Sequence, residues 1–176
     1  MQLHRGNLIL VGLPGSGKTT LGRQLARRFG KPFHDADLEL EARLGVSIPT
    51  IFEIEGEVAF RDREAAVIGE LSQRSGIVLA TGGGAVLRAD NREHLAASGS
   101  VLYLHASPQS LWRRVRHNRH RPLLNTGDPL SRLAELYAER DPLYRSIADW
   151  VIESDREHVS RFAAGLEQDL RNVLGV

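Results

Sequence analysis

The sequence contains no cysteine, which excludes disulfide bonds and metal sites built from thiolates. The sequence also has no large excess of charge of one sign: 23 lysine and arginine residues against 22 aspartate and glutamate residues give a formal net charge of +1. Such a balance provides no long-range attraction for nucleic acid. No apolar run reaches the length of a membrane-spanning helix, and residues 1–6 lack the apolar core of a signal peptide. We therefore expect a cytoplasmic protein that binds neither nucleic acid nor membrane.

The length of 176 residues and the hydrophobic content of 41% are typical of one globular domain with a sizeable core. No internal repeat, low-complexity tract or linker divides the chain. We predict a single domain over residues 1–176, and for a small domain of this kind we expect a monomer.

Residues 12–19, GLPGSGKT, match the phosphate-loop pattern G-x-x-x-x-G-K-[ST]. Glycines let the backbone fold tightly, so that consecutive N–H groups point at the nucleotide phosphates. Lys18 adds a charge near the β- and γ-phosphates, and the Thr19 hydroxyl is placed to ligate Mg²⁺. The apolar run 7–11 before the loop predicts a buried strand, and the apolar spacing after it predicts a helix whose N-terminus attracts anions. The segment predicts a nucleotide site formed by Gly15, Ser16, Gly17, Lys18, Thr19 and Thr20.

Strand and helix patterns alternate along the rest of the chain. The predicted strands cover residues 7–11, 32–35, 76–80, 101–105 and 150–153. The predicted helices cover residues 20–29, 38–44, 56–74, 88–97, 108–116, 130–147 and 157–174, with a helical turn at 47–52 and a mobile loop at 118–129. This alternation predicts an α/β fold, a three-layer α/β/α sandwich around a five-stranded parallel sheet, with ligands beyond the C-terminal ends of the strands.

Two acidic residues and three glycines fall at that edge of the predicted sheet. Asp35 and Asp37 follow the second strand and would point to opposite sides of an extended segment, so one can face Mg²⁺ through water and the other an acceptor hydroxyl. The alternative is that Asp37 only caps the next helix. The run Gly82-Gly83-Gly84 predicts a close approach of backbone to a ligand or an unusual turn, the alternative being a flexible loop.

Assigning a function to any single arginine needs evidence from the neighbouring sequence, because arginine supplies almost all of the positive charge. Arg61 lies on the predicted helix 56–74, where it is spaced to pair with Glu64 at i,i+3. Arg114 and Arg121 belong to the end of a helix and to the predicted mobile loop. A lid at this place can carry a guanidinium onto a phosphate that is being transferred.

Together these segments resemble one family, shikimate kinase, of the nucleoside-monophosphate-kinase-like P-loop group. The resemblance covers essentially the whole chain. It rests on GLPGSGKT at 12–19, DAD at 35–37, FRDRE at 60–64, TGGGAV at 81–86, RPLL at 121–124 and ERDPLY at 139–144. One departure is Ala36, where the family usually carries threonine or serine. It should matter little, because the flanking acids do the chemistry.

The resemblance implies a P-loop kinase fold and transfer of the γ-phosphoryl group of ATP to the 3-hydroxyl of shikimate, with ATP and Mg²⁺ as cofactors. It implies a mobile lid over about 116–128 and substrate-binding helices over about 36–64. The implied catalytic residues are Lys18, Asp37 and Arg121, and the implied metal ligands are Thr19 and Asp35. The implied shikimate-binding residues are Asp37, Arg61, Gly82, Gly83 and Arg140. The implied nucleotide-binding residues are the phosphate loop together with Arg114, Arg121 and Arg156.

Two other functions stay open at this point. A gluconate kinase of the same fold would also bind a carboxylate substrate, although the paired arginines and the three glycines favour shikimate. A non-catalytic ligand sensor built on such a domain is disfavoured, because Lys18, Asp35, Asp37 and Arg121 are all present.

Overall fold

A computed structural model describes residues 6–116, 127–154 and 165. Five strands form one sheet in the order β2-β3-β1-β4-β5, and every pairing is parallel. Leu8, for example, lies opposite Val78 on one side and Ser100 on the other. The strands are β1 Asn7–Val11, β2 Phe33–Asp35, β3 Val78–Ala80, β4 Gly99–His105 and β5 Trp150–Glu153.

Helices connect these strands as the crossover units of a parallel sheet require. Within the described residues they are α1 Lys18–Phe29, α2 Ala36–Leu44, α3 Ile48–Ser72, α4 Ala89–Ser98, α5 Pro108–Val115 and α6 Pro129–Ile147, with a 3₁₀ turn at Ala85–Leu87. The helix predicted over 157–174 lies outside the described residues, apart from position 165. In the part of the chain that is described, no helix is both long and apolar enough to cross a membrane.

The sheet separates two hydrophobic clusters. All five residues of β1 are buried, and successive side chains point to opposite faces. Leu8 and Leu10 pack with Leu21 of α1 on one face. Ile9 and Val11 belong to the larger cluster on the other face, which α3, α4, α5 and α6 cover. Helices on both faces of a parallel sheet confirm the predicted three-layer sandwich.

Helix α3 is interrupted at Gly56, whose φ of 82° and ψ of 175° are not helical. A positive φ of this size is available to glycine at little cost. The interruption separates a short first segment, which Ser47 caps by accepting from the Thr50 N–H, from the long helix that follows. The sequence predicted these two pieces as a turn at 47–52 and a helix from 56, and the break lets both pieces line one pocket.

The strand order places the C-terminal ends of β2, β3 and β1 side by side. The phosphate loop follows β1, Asp35 ends β2, and the three glycines follow β3 shortly after its last residue. These segments are far apart in the chain and meet only because the sheet pairs their strands. The ligand edge expected for an α/β fold is therefore the edge where they converge.

Candidate active site

The phosphate loop turns sharply between β1 and α1. Gly15 and Gly17 have φ values of 87° and 98°, a backbone conformation that other residues rarely adopt. The Lys18 ammonium donates to the carbonyl oxygens of Gly12 at 2.7 Å and Leu13 at 3.0 Å. The buried cation is thus folded across the loop that precedes it. Its charge and the N-terminal N–H groups of α1 form a cradle for phosphate.

Thr19 and Asp35 form the oxygen-rich side of this cradle. The Thr19 hydroxyl donates to Asp35 Oδ2 at 2.9 Å. The other oxygen, Oδ1, accepts from the backbone N–H groups of Asp37 at 3.1 Å and Leu38 at 3.3 Å, so Asp35 caps α2. The alternative that Asp37 provides this cap is therefore wrong, and so is the extended segment, because Asp37 lies inside the first turn of α2.

The hydroxyl of Thr19 and the carboxylate of Asp35 are hard oxygen donors of the kind that Mg²⁺ prefers. Among the described residues there is no group of three or more histidine or acidic side chains that could hold a metal by itself. A Mg²⁺ ion at this pair would complete its shell with water and nucleotide phosphate, as this ion usually does. Thr19 and Asp35 therefore fit the predicted Mg²⁺ if water and nucleotide phosphate supply its other ligands.

Asp37 is a half-buried acid with a strongly shifted pKa. Desolvation by the surrounding protein is the largest cause, and together with the charges of Glu64 and Asp35, against the opposing charge of Lys18, it raises the pKa of Asp37 to about 7. A carboxylate that titrates near neutrality is suited to exchange a proton with a substrate hydroxyl. This observation supports the predicted role of Asp37 beside the acceptor.

Two arginines near Asp37 have unsatisfied donors. Arg140 is only 2% exposed, and its Nε and Nη1 atoms have no hydrogen-bond partner; the Nε atom of Arg61 has none either. The Glu139 carboxylate comes within 3.5 Å of Arg140 Nε without completing a hydrogen bond. Buried N–H groups without acceptors are unfavourable, and charged ones more so. Planar guanidinium donors of this kind match the two oxygens of a carboxylate.

Glutamates hold the Arg61 side chain at this pocket. Arg61 Nη1 donates to Glu64 Oε1 at 2.9 Å, which is the predicted i,i+3 pair, and Nη2 donates to Glu57 Oε1 at 3.2 Å. Burial raises the pKa of Glu64, while the charges of Arg61 and Arg140 lower it. Glu64 therefore anchors Arg61 through Nη1, and the Nε atom of Arg61 keeps no acceptor of its own.

Residues 82–84 after β3 must be glycine because neighbouring side chains leave no room for a Cβ atom. A Cβ atom at Gly82 would lie 2.7 Å from Asp37 Oδ1, and one at Gly83 would lie 2.7 Å from Pro14 Cδ. At Gly84 it would overlap the Arg61 guanidinium. None of the three glycines has a φ in the left-handed region, so the unusual turn offered as an explanation is wrong. The atoms that come close to this backbone belong to Asp37, Pro14 and Arg61, and the predicted close approach to a ligand stays a prediction.

Two cavities meet beside Asp37. The first, of about 360 Å³, extends along the phosphate loop to Arg114, and the second, of about 100 Å³, is lined by Arg61 and Arg140 among other residues. The residues that line both are Pro14, Asp37, Gly82 and Gly83. A molecule in the second cavity can therefore present a hydroxyl to a phosphate in the first, with Asp37 at the boundary.

Arg114 closes one end of the first cavity. Its Nη1 atom lies 3.3 Å from Ser154 Oγ and 3.5 Å from the Gly15 carbonyl oxygen, and its Nη2 donates to the Ser154 carbonyl. These contacts join α5 to the phosphate loop and to the end of β5, where the sequence predicted a nucleotide contact. Arg121, Arg156 and residues 117–126 of the predicted lid lie outside the described residues.

Sequence reasoning missed the apolar wall of the second cavity. Ile48 and Phe52 reach it from the first segment of α3, and Phe60 from the second; Phe52 and Phe60 pack with ring centroids 4.6 Å apart. The i,i+4 spacing of Ile48 and Phe52 was the available signal, but it also fits ordinary core packing. Glu64 was noticed only as a surface partner of Arg61, whereas it is 3% exposed.

A family model described as shikimate kinase matches residues 14–171. The shikimate kinase of Cupriavidus pinatubonensis is 61% identical over 163 residues, which are 93% of this chain and 85% of that relative. The structure of shikimate kinase from Acinetobacter baumannii in complex with shikimate superposes with a TM-score of 0.92 at 43% identity, covering 96% of this chain and 94% of that one. A gluconokinase from Sinorhizobium meliloti 1021 reaches a TM-score of 0.61 at 22% identity over 98% and 97% of the two chains, a likeness of fold alone.

Proposed function

The chain belongs to the shikimate kinase family, and from this premise we propose that its two adjoining cavities are the ATP site and the shikimate site. The protein transfers the γ-phosphoryl group of ATP to the 3-hydroxyl of shikimate, giving shikimate 3-phosphate and ADP. The observation that carries the assignment of the second cavity is its set of buried guanidinium donors without acceptors. Shikimate, a small carboxylate with three hydroxyl groups, supplies acceptors for them.

The acceptor is held at three places in this proposal. The Nε atoms of Arg61 and Arg140 and the Nη1 atom of Arg140 bind the carboxylate, since these are the donors that the protein leaves unsatisfied. Asp37 accepts from ring hydroxyls, and the backbone at Gly82 and Gly83 closes the pocket above them. The apolar wall packs against the ring and excludes water from the reacting hydroxyl.

ATP is the phosphate donor, and we assign its phosphates to the loop from Gly15 to Thr20. Lys18 leaves its own loop carbonyls to spread the charge of the γ-phosphoryl group in a loose transition state. The Thr19 and Asp35 pair would hold Mg²⁺, which when bound neutralises charge on the β- and γ-phosphates. Arg114 borders the nucleotide, and Arg156 is proposed for the same edge from the sequence.

Asp37 orients the 3-hydroxyl toward the γ-phosphorus. As the new oxygen–phosphorus bond forms and the bond to the leaving ADP oxygen breaks, the hydroxyl proton passes to the Asp37 carboxylate. Most of the rate enhancement then comes from position and charge, because a loose transition state needs little base assistance. Arg121 is proposed to reach the transferred phosphoryl group when the lid over 116–128 closes.

The remaining proposals concern the whole chain. We propose one domain over residues 1–176 that acts as a monomer and has no nucleic acid partner; the formal net charge of +1 supports the last point. A cytoplasmic location stays a prediction from the sequence.

The test is ADP formation by the purified protein with Mg²⁺ and ATP, measured with shikimate, with gluconate and without acceptor. We expect ADP formation that depends on shikimate. Arg140→Ala and Arg61→Ala should raise the KM for shikimate about 100-fold with little change in the KM for ATP, because each removes charged donors to the carboxylate. Arg132→Ala is the matched control, since Arg132 lies on the same helix as Arg140 but is exposed and paired with Glu135. Turnover with gluconate alone, or a change confined to the KM for ATP, would contradict the assignment.

A further inference from the structure

Tyr144 ends the ERDPLY segment of α6, and the reaction described above gives it no role. It is fully buried and lines neither of the two cavities. Its hydroxyl donates to the carbonyl oxygen of Gly83 at 2.5 Å, and its ring stacks on Tyr103 with centroids 4.9 Å apart. The side chain therefore joins α6 to the glycine segment from behind the wall of the shikimate pocket.

The same hydroxyl also interacts with Arg140, which lies one helical turn earlier on the same face of α6. Burial raises the pKa of Tyr144 above its usual range, and the charge of Arg140 and a hydrogen bond from its guanidinium oppose this rise. A phenol has one proton to donate and lone pairs that accept. The proton is used on Gly83, so the oxygen is left to accept from Arg140.

The bond to Gly83 also fixes the direction of the next N–H group. The peptide between Gly83 and Gly84 is trans, so its C=O and its N–H point in opposite directions. With the Gly83 oxygen held by Tyr144 behind the wall, the Gly84 N–H is turned to the other side. Both glycines line the second cavity, so an N–H turned away from Tyr144 can face a molecule bound there.

We propose that Tyr144 is a positioning residue for the acceptor, whose hydroxyl holds the Gly83–Gly84 peptide and the Arg140 guanidinium in the orientations that bind shikimate. The inference rests on the proposed function. It concerns the binding of shikimate, because the Tyr144 hydroxyl bonds the backbone of Gly83, which the proposed function assigns to the acceptor pocket.

The test is Tyr144→Phe, which keeps the buried ring and removes only the hydroxyl. We expect the KM for shikimate to rise about tenfold, the effect of one lost hydrogen bond in a buried site, while the KM for ATP stays within about twofold. Tyr137→Phe is the matched control, because the Tyr137 hydroxyl bonds His105 Nε2 at 2.8 Å and also ties α6 to the sheet. It should leave the KM for shikimate unchanged even where it lowers Tm.

A second readout is the double variant with Arg140→Lys. If Tyr144 acts partly through the guanidinium, Tyr144→Phe should raise the KM for shikimate much less in the lysine background than in the wild type. A full tenfold effect there, an unchanged KM in the single variant, or an equal rise in Tyr137→Phe would each overturn the inference. A wild-type protein without shikimate-dependent ADP formation would instead overturn the proposed function, and this inference with it.

Discussion

Replacement of Asp37 by asparagine should stabilise the ligand-free protein at alkaline pH and remove most of its activity. The pKa of Asp37 is raised from 3.8 to about 7 by desolvation first and by neighbouring acids second. Between these two values the folded chain holds a proton that the unfolded chain has lost. The free energy of unfolding therefore falls as the pH rises through this window, and above pH 7 the full penalty of a charged Asp37 is present. Asparagine has nearly the same shape and is uncharged at every pH.

The size of the change in the free energy of unfolding follows from the shift in the pKa of Asp37. The two pKa values differ by about three units, each worth about 1.4 kcal/mol, so the penalty approaches about 4 kcal/mol at pH 8. Because the side chain is half-buried, solvent screening reduces this figure, and we expect about 2 to 4 kcal/mol. For a domain of this length that gain raises Tm by about 4 to 16 °C.

The assay is thermal unfolding without nucleotide or Mg²⁺ from pH 4.5 to pH 8.5. Asp37→Asn should exceed the wild type by only about 1 kcal/mol near pH 4.5, and the difference should grow progressively toward pH 8.5. Glu93→Gln serves as a control, since Glu93 is an exposed carboxylate on α4, and it should change the free energy of unfolding by less than about 0.5 kcal/mol throughout.

Two results would refute the reasoning. A gain in stability that is the same at pH 4.5 and pH 8.5 would show that it does not come from the ionisation of Asp37. An unchanged or lower Tm at pH 8.5 would show that the folded protein does not disfavour the charged carboxylate. In the kinetic assay kcat should fall by about 100-fold or more, because the 3-hydroxyl is no longer held in line with the γ-phosphorus; a normal kcat would remove Asp37 from the chemistry.

Three further predictions concern the cradle and the glycines. Lys18→Ala should unfold cooperatively in a thermal melt yet form no ADP, because the cation that stabilises the charge on the γ-phosphoryl group is lost; near-normal turnover would exclude this role. Gly84→Ala should raise the KM for shikimate and not that for ATP, because the added methyl group overlaps the Arg61 guanidinium; unchanged kinetics would mean that Arg61 moves aside freely. Asp35→Ala should lose about 1 kcal/mol of stability with the cap of α2 and need more Mg²⁺ for half-maximal rate. A normal Mg²⁺ requirement would contradict the metal assignment.

Much of the ATP side of the site could be predicted from the sequence. The phosphate loop is a local structure, in which glycines at fixed spacing supply the positive φ values and Lys18 follows directly. The apolar pattern of the same short segment also predicts the strand before the loop and the helix after it. A local apolar pattern likewise placed Asp35 at the end of its strand, but it did not predict that Asp35 caps α2. Which acid caps α2 depends on where that helix begins, and a shift of two residues changes the answer from Asp37 to Asp35.

The substrate side of the site could be predicted less well from the sequence. Arg61, Arg140 and Gly84 carry no local sign of their proximity, since each lies on a different segment and they meet only through the order of the strands and the packing of α3 and α6. The interruption at Gly56 turns two apolar residues of α3 toward the same pocket. An i,i+4 pair of apolar side chains looks the same in a core and in a binding site, so the wall was missed.

The sequence by itself determined the parallel α/β sandwich, the nucleotide loop and the family, because all three follow from short-range patterns of glycine, apolar residues and charge. Only the tertiary structure decided which donors of Arg61 and Arg140 stay unsatisfied, why the glycine run must be glycine, and why Asp37 titrates near neutrality. Each of these depends on what surrounds an atom: the acceptors within reach, the space left by a neighbour and the water excluded from a carboxylate. Those surroundings come from segments far apart in the chain, and they exist only once the chain has folded.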